Sequence, residues 1–120
     1  MTWFAIAGGG AIGAVGRAWL SSRVGAWTPG NLPWGTLAVN LLGCLLIGYV
    51  WPRLQIEGVA PQLRAGLIVG VLGAFTTFST FGLDAVQMLR AGATAAGITY
   101  ITASNIGGLV LVWVGLRLSG

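Results

Sequence analysis

The sequence predicts an all-α integral membrane protein with four transmembrane helices per subunit. The third span carries a candidate break at its centre, and near-even charge makes a dual-topology antiparallel homodimer of two subunits a live expectation. Three observations lead there. Of 120 residues, 56% are hydrophobic and only 7% charged, whereas a soluble domain carries roughly a quarter of its residues charged. Four apolar segments each approach or exceed the about 20 residues that a helix needs to cross a bilayer. The arginines, which orient a membrane chain, are divided almost evenly between the two faces.

The spans fall at about residues 3–21, 34–51, 63–89 and 93–118 of a single domain covering 1–120. Lipid is therefore the expected solvent. The first segment starts at Trp3 without a basic leader and is rich in glycine, so it reads as a retained helix rather than a cleaved signal. Thr28-Pro29-Gly30 and Leu32-Pro33 mark the first connection as a turn. Pro52 and Pro61 bound the second, and the third is short, around Arg90-Ala91-Gly92, which makes the last two spans an antiparallel hairpin. Trp3, Trp19, Trp27, Trp34, Trp51 and Trp113 mostly lie near the expected ends, where indole rings sit at headgroup level. Cys44 is the single cysteine, so the chain forms no internal disulfide.

The third span is long for one straight crossing and holds GAFTTFSTFG, residues 73–82, at its centre. Gly70, Gly73 and clustered threonines are poor helix formers. A backbone leaves the helix inside a membrane only where protein buries it or water reaches it. A break here predicts an ion or water site whose freed carbonyls can hold a cation. A continuous kinked helix, its hydroxyls bonded back to their own carbonyls, is the alternative.

Glycine supplies the packing signal, with 21 residues. Gly9 with Gly13, and Gly66 with Gly70, have the small-xxx-small spacing that lets helices approach closely, and Gly107-Gly108 does similar work in the fourth span. Four thin helices offer little wall for a solute path, so a homo-oligomer is expected, most simply a dimer. Arg53, Arg64 and Arg117 fall on one face, and Arg23, Arg90 and a snorkelling Arg17 on the other. Such balance lets the chain insert either way.

Several polar groups stand inside the apolar segments. Asn40 lies within GTLAVNLLG, and an unpartnered amide in hydrocarbon costs about 2–7 kcal/mol. It serves either as interhelical glue or as a donor that replaces water around an anion. Arg17, late in the first span, is either a snorkelling anchor or part of an anion-attracting vestibule. Asp84 caps, pairs with an arginine or faces a vestibule. Tyr100, Ser104 and Gly108 recur every four residues and share one face of the fourth span, with Asn105 about a quarter turn away. Phe78 and Phe81 lie on similar sides of a helix among the hydroxyls of Thr76, Thr77, Ser79 and Thr80. Most phenyl rings simply pack, but the electropositive ring edge can also meet a small hard anion in a dry pore.

Other functions are poorly served. The net charge of +4 comes from single scattered arginines, which form no nucleic-acid patch. Histidine is absent, Cys44 has no neighbouring base, and Glu57 and Asp84 are too far apart in sequence to suggest an acid/base pair. No enzyme is expected.

GGAIGAVGR (9–17), GTLAVNLLG (35–43) and GAFTTFSTFG (73–82), in this order on three consecutive spans, resemble the Fluc, or CrcB-type, fluoride channels of microorganisms. The resemblance covers the whole chain, and the TTFSTF block with the upstream VN is its most specific part. It implies a multi-pass protein of the cell inner (plasma) membrane that exports fluoride passively and protects against fluoride toxicity. Two antiparallel pores per homodimer are implied, with broken third helices meeting at the centre around a structural sodium ion. By position, the Gly73 and Thr76 carbonyls would be the sodium ligands. Phe78 and Phe81 would form a phenyl box, Asn40 would donate to fluoride, Tyr100 and Ser104 would belong to a polar track, and Arg17 would lie towards a vestibule. Thr77, Ser79 and Thr80 complete the expected pore set. The chain departs from the pattern at Asp84, where some relatives carry glutamate, and at Gly108, where the track can carry another hydroxyl.

Two rival readings differ in kind. A small proton-coupled multidrug-type exporter is also a four-span dual-topology dimer, but it needs an intramembrane carboxylate, and the first two spans contain no acid. A non-transporting membrane assembly subunit would explain the glycines and leave the polar centre of the third span without a purpose.

Overall fold

The computed structural model describes residues 1–27 and 32–120. The Thr28-Pro29-Gly30 turn signal and the Trp27 side chain lie outside the described residues. Among those described, the chain is helical and contains no strand. Helix α1 runs Thr2–Trp27 and α2 runs Trp34–Leu54. Helix α3, residues 61–75, joins an α-helical turn Pro61–Ala65, a π-helical stretch Gly66–Leu72 and a last α-turn Gly73–Phe75. Helix α4 is Phe78–Arg90 and α5 is Thr94–Ser119.

Trp34–Leu54, Pro61–Arg90 and Thr94–Ser119 are each long and apolar enough to cross a membrane. Helix α1 equals α5 in length at 26 residues, but its glycines and Arg17 dilute its apolar character below that of the other three. The molecule is a multi-pass helical membrane protein. Its longest dimension is 52 Å, more than the about 40–45 Å of a bilayer with its headgroups.

Local chemistry sets the boundaries. Pro61 occupies the first turn of α3, where its missing N–H costs nothing. Helix α4 ends in a Schellman motif: Ala93 N–H donates to the Met88 carbonyl at 2.9 Å and Gly92 N–H to the Leu89 carbonyl at 3.2 Å. Gly92 takes φ +85° there, a left-handed conformation that glycine adopts without steric cost. This motif turns the chain directly into α5.

Two close helix pairs build the subunit. Helix α1 lies on α3 with backbones in contact: a methyl at Gly9 would strike the Gly66 carbonyl, and one at Gly13 the Val71 carbonyl. The two small-residue pairs of the sequence therefore face one another, as close packing in lipid requires. Helix α2 lies along α5, crossing closest at Gly48 and Gly115. Where α4 joins that second pair, Leu37, Phe81, Ala85 and Tyr100 form the buried cluster, with Leu41, Met88 and Ile101 against it. Large apolar side chains elsewhere face outward, including Phe4, Ile12, Val15, Trp19, Leu109 and Trp113. Such a surface suits lipid rather than water.

Candidate ion site at the helix break

The backbone leaves the helix at two residues. Thr76 adopts φ −87°, ψ 155° and Thr77 φ −147°, ψ 118°, both extended. The widened π-helical turns end one α-turn before this break, and such turns are frequent at functional positions.

Asn40 of α2 holds the break from outside. Its Nδ2 donates to the Thr77 carbonyl at 2.9 Å, and its Oδ1 accepts from the Thr77 N–H at 2.8 Å. The amide thus acts as a one-residue strand partner for Thr77. Within α4 the Thr77 hydroxyl caps the helix, accepting from Thr80 N–H at 3.3 Å. It also bonds the Thr80 hydroxyl at 3.2 Å and lies 3.4 Å from that of Ser79. An N-cap of this kind contributes about 1 kcal/mol.

These bonds displace others. In an unbroken helix the Gly73 carbonyl would accept from Thr77 N–H, and the Thr76 carbonyl from Thr80 N–H. Both donors are engaged elsewhere, by Asn40 and by the Thr77 hydroxyl. Gly73 and Thr76 therefore present carbonyl oxygens without their helical partners, beside a cavity that both residues line. Ala74, similarly displaced, accepts from Arg17 Nε at 3.2 Å. The Arg17 side chain runs from α1 to the break itself, and Arg17 is not among the cavity's lining residues. The Thr76 hydroxyl bonds back to the Leu72 carbonyl at 3.0 Å, and its methyl sits in the notch left by Gly43.

The cavity beside the break has a volume of about 350 Å³. Asn40, Thr77, Phe78, Phe81 and Ser104 line it together with Gly73 and Thr76. Phe78 is 80% exposed and projects from the subunit, whereas Phe81 is buried. Their ring centroids are 5.6 Å apart, and Phe81 lies 5.2 Å from Tyr100 in a tilted pair. The expected pore set is thus split: Ser79 and Thr80 stand outside the cavity lining, as does Tyr100, which packs behind Phe81. Its hydroxyl, fully buried, has no hydrogen-bond partner among the described residues, with Asp84 and Thr36 alongside. Ser104 Oγ is also buried without a partner. Asp84 lines a separate hollow of about 420 Å³ with Pro33, Gln87 and Met88.

Sequence reasoning missed Cys44, Ile47 and Asn105, which also line the cavity. Helical spacing offered a signal for the first two, because Asn40, Cys44 and Ile47 share one face of α2. Asn105, about a quarter turn from Ser104 and bonded to the Ile101 carbonyl at 2.8 Å, still reaches the rim.

A family model described as CrcB-like protein, Camphor Resistance (CrcB), matches residues 4–116. The chain belongs to the CrcB-like family. This CrcB-like chain is 47% identical to a protein of Stutzerimonas stutzeri named fluoride-specific ion channel FluC, over 97% of its own length and 94% of the relative's. A FluC of Azotobacter vinelandii is 43% identical over 96% and 94%. A FluC 1 of Moorella thermoacetica is 39% identical over 99% and 86%. All three matches cover the break and both halves of the CrcB-like cavity.

Proposed function

We propose that this CrcB-like chain is a fluoride-selective channel that exports the ion passively across the cell inner membrane and so protects against fluoride toxicity. The observation that carries the reading is the cavity at the break, apolar in most of its wall yet supplied with donors that have no protein partner. Ser104 contributes to the wall, with its Oγ sealed beneath the surface. An amide has two N–H groups; one of Asn40's is spent on Thr77, and the other remains for the cavity. The hydroxyls of Thr77, Ser79 and Thr80 stand at the adjoining helix start. Fluoride is small and strongly hydrated, so its path must replace water with donors while binding loosely enough to release it. Hydroxyls, one amide N–H and the positive edges of Phe78 and Phe81 provide contacts of that strength. Tyr100 continues the polar track behind Phe81, and the four guanidinium N–H groups that Arg17 keeps beyond its bond to Ala74 serve a vestibule. The FluC names of the relatives support the same ion.

The working unit is a dual-topology antiparallel homodimer with four spans per subunit, α1 included, and two pores. Two features support it. Phe78 projects from a single subunit and needs a second wall, and with Arg17 drawn to the break the arginines still divide nearly evenly, three against two. The Gly73 and Thr76 carbonyls fit a hard monovalent cation, which oxygen donors freed from a broken helix can hold. A sodium ion shared between the two subunits would supply a fixed positive field beside the anion path. The proton-coupled exporter reading lacks support, since no carboxylate among the described residues lines the cavity.

Fluoride efflux from proteoliposomes, with chloride as control and valinomycin to dissipate charge, tests the reading. Rapid fluoride release with negligible chloride release is the expected result. No release from a well-folded dimer would overturn it.

A further inference from the structure

The last turns of α2 and α5 and the first turn of α3 meet at one end of the subunit. Helices α2 and α5 run parallel, Leu37 packing with Tyr100 and Gly48 with Val112, so Arg53 and Arg117 stand at the same end. Arg64 joins them across the connection between α2 and α3: its Nε donates to the Leu54 carbonyl at 2.8 Å. That bond closes the end of α2, where carbonyls lack helical partners, and it fixes the Arg64 side chain. It uses one of the five N–H donors of a guanidinium. The other four, and the charge, meet no partner among the described residues, although Arg64 is half-buried. Arg53 lies over the Tyr49 ring at 4.4 Å and Arg117 over the Trp113 ring at 5.3 Å. Tyrosine and tryptophan rings sit at headgroup level, so the guanidinia stacked on them stand at the depth of lipid phosphates. Glu57 is the one acidic side chain at this end; it is exposed and forms no ion pair among the described residues. The opposite end differs, because Arg23 and Arg90 belong to α1 and α4, which share no packed face.

We propose that this end of the subunit binds the phosphate of an anionic membrane phospholipid, with the fixed Arg64 guanidinium as its direct ligand and Arg53 and Arg117 as flanking charges. A guanidinium offers paired N–H groups that match two phosphate oxygens. A lipid supplies that phosphate at the depth where the arginines stand, and its acyl chains run past the exposed apolar face that carries Trp51 and Trp113. Three guanidinia against one carboxylate favour a headgroup of net negative charge over a zwitterionic one. None of the three arginines lines the cavity at the break, so the proposal is independent of the channel reading.

The test uses the full chain in non-ionic detergent, with phosphatidylglycerol or phosphatidylcholine added at equal concentration and bound lipid counted by native mass spectrometry. Phosphatidylglycerol should be retained over phosphatidylcholine. Arg53→Gln and Arg64→Gln should each weaken its binding roughly fivefold, the factor for one guanidinium at an anionic surface. Arg23→Gln, at the opposite end, should leave it unchanged. Arg53 stacks on a ring of its own helix, so its variant keeps the fold even if loss of the Arg64 bond to Leu54 does not. Inorganic phosphate, set against chloride at matched ionic strength, should displace no lipid. Equal retention of the two lipids, or phosphatidylglycerol binding untouched by Arg53→Gln, overturns the proposal. So does an equal loss with Arg23→Gln, which would reduce the effect to net charge, or displacement by inorganic phosphate, which would make this a free-anion site.

Discussion

The Asn40 side chain pairs with both backbone groups of Thr77, donating to its carbonyl at 2.9 Å and accepting from its N–H at 2.8 Å. An asparagine in a membrane helix needs partners, and a broken helix has orphaned groups to offer. Each supplies what the other lacks. The break is therefore a bonded conformation, maintained by a neighbouring helix.

Asn40→Leu removes both bonds and leaves Thr77 with an unpaired donor and acceptor, each costing about 1–3 kcal/mol where buried. Thr77 is half-buried, so the lower end of that range applies. Asn40→Asp keeps the acceptor for Thr77 N–H and loses the donor. Thermal unfolding in detergent should rank wild type above Asp above Leu, with fluoride flux lowered in both variants. Equal melting temperatures in all three would show that the pairing does not hold the break.

The two phenylalanines should separate stability from conduction. Phe81 is 9% exposed and packs on Tyr100, so Phe81→Ala should cost about 3–5 kcal/mol. Phe78 is 80% exposed in the subunit, so Phe78→Ala should leave subunit folding nearly unchanged. Flux should fall in both. Normal efflux from either variant as an intact dimer argues against a phenyl-lined path.

Contact between α1 and α3 makes Gly13 far less replaceable than Gly8. A methyl at Gly13 would collide with the Val71 carbonyl, whereas a methyl at Gly8 meets nothing within 4 Å. Gly13→Ala should sharply lower the yield of folded protein. Gly8→Ala should be neutral, or stabilising by up to about 1 kcal/mol through helix propensity. Size-exclusion profiles decide the matter, and similar profiles for the two would refute the close crossing.

Arg17 donates to the Ala74 carbonyl at 3.2 Å, two residues before the first extended residue of the break. Arg17→Gln should loosen the segment, and hydrogen exchange across residues 74–77 should quicken while exchange in α5 stays as it was. Unaltered exchange at 74–77 would assign Arg17 a role away from the break.

If the Gly73 and Thr76 carbonyls hold sodium between subunits, stability should depend on that ion. Replacing sodium by N-methylglucamine during purification should lower the melting temperature and the fluoride flux together, and returning sodium should restore both. A dimer indifferent to the exchange would remove the ion from the proposal.

The sequence by itself determined the solvent, the helical class and the place of the polar centre. Hydropathy over windows near 20 residues measures the cost of putting a segment into lipid, and that cost depends on composition alone. Glycines four apart likewise marked the two faces made for close approach, which requires the absence of a Cβ, and the structure showed that these faces meet between α1 and α3. Tertiary structure alone decided which partners the polar groups took. Asn40 and Thr77 are 37 residues apart, and Arg17 and Ala74 are 57 apart. No local periodicity encodes a bond between an amide on one helix and the freed backbone of another.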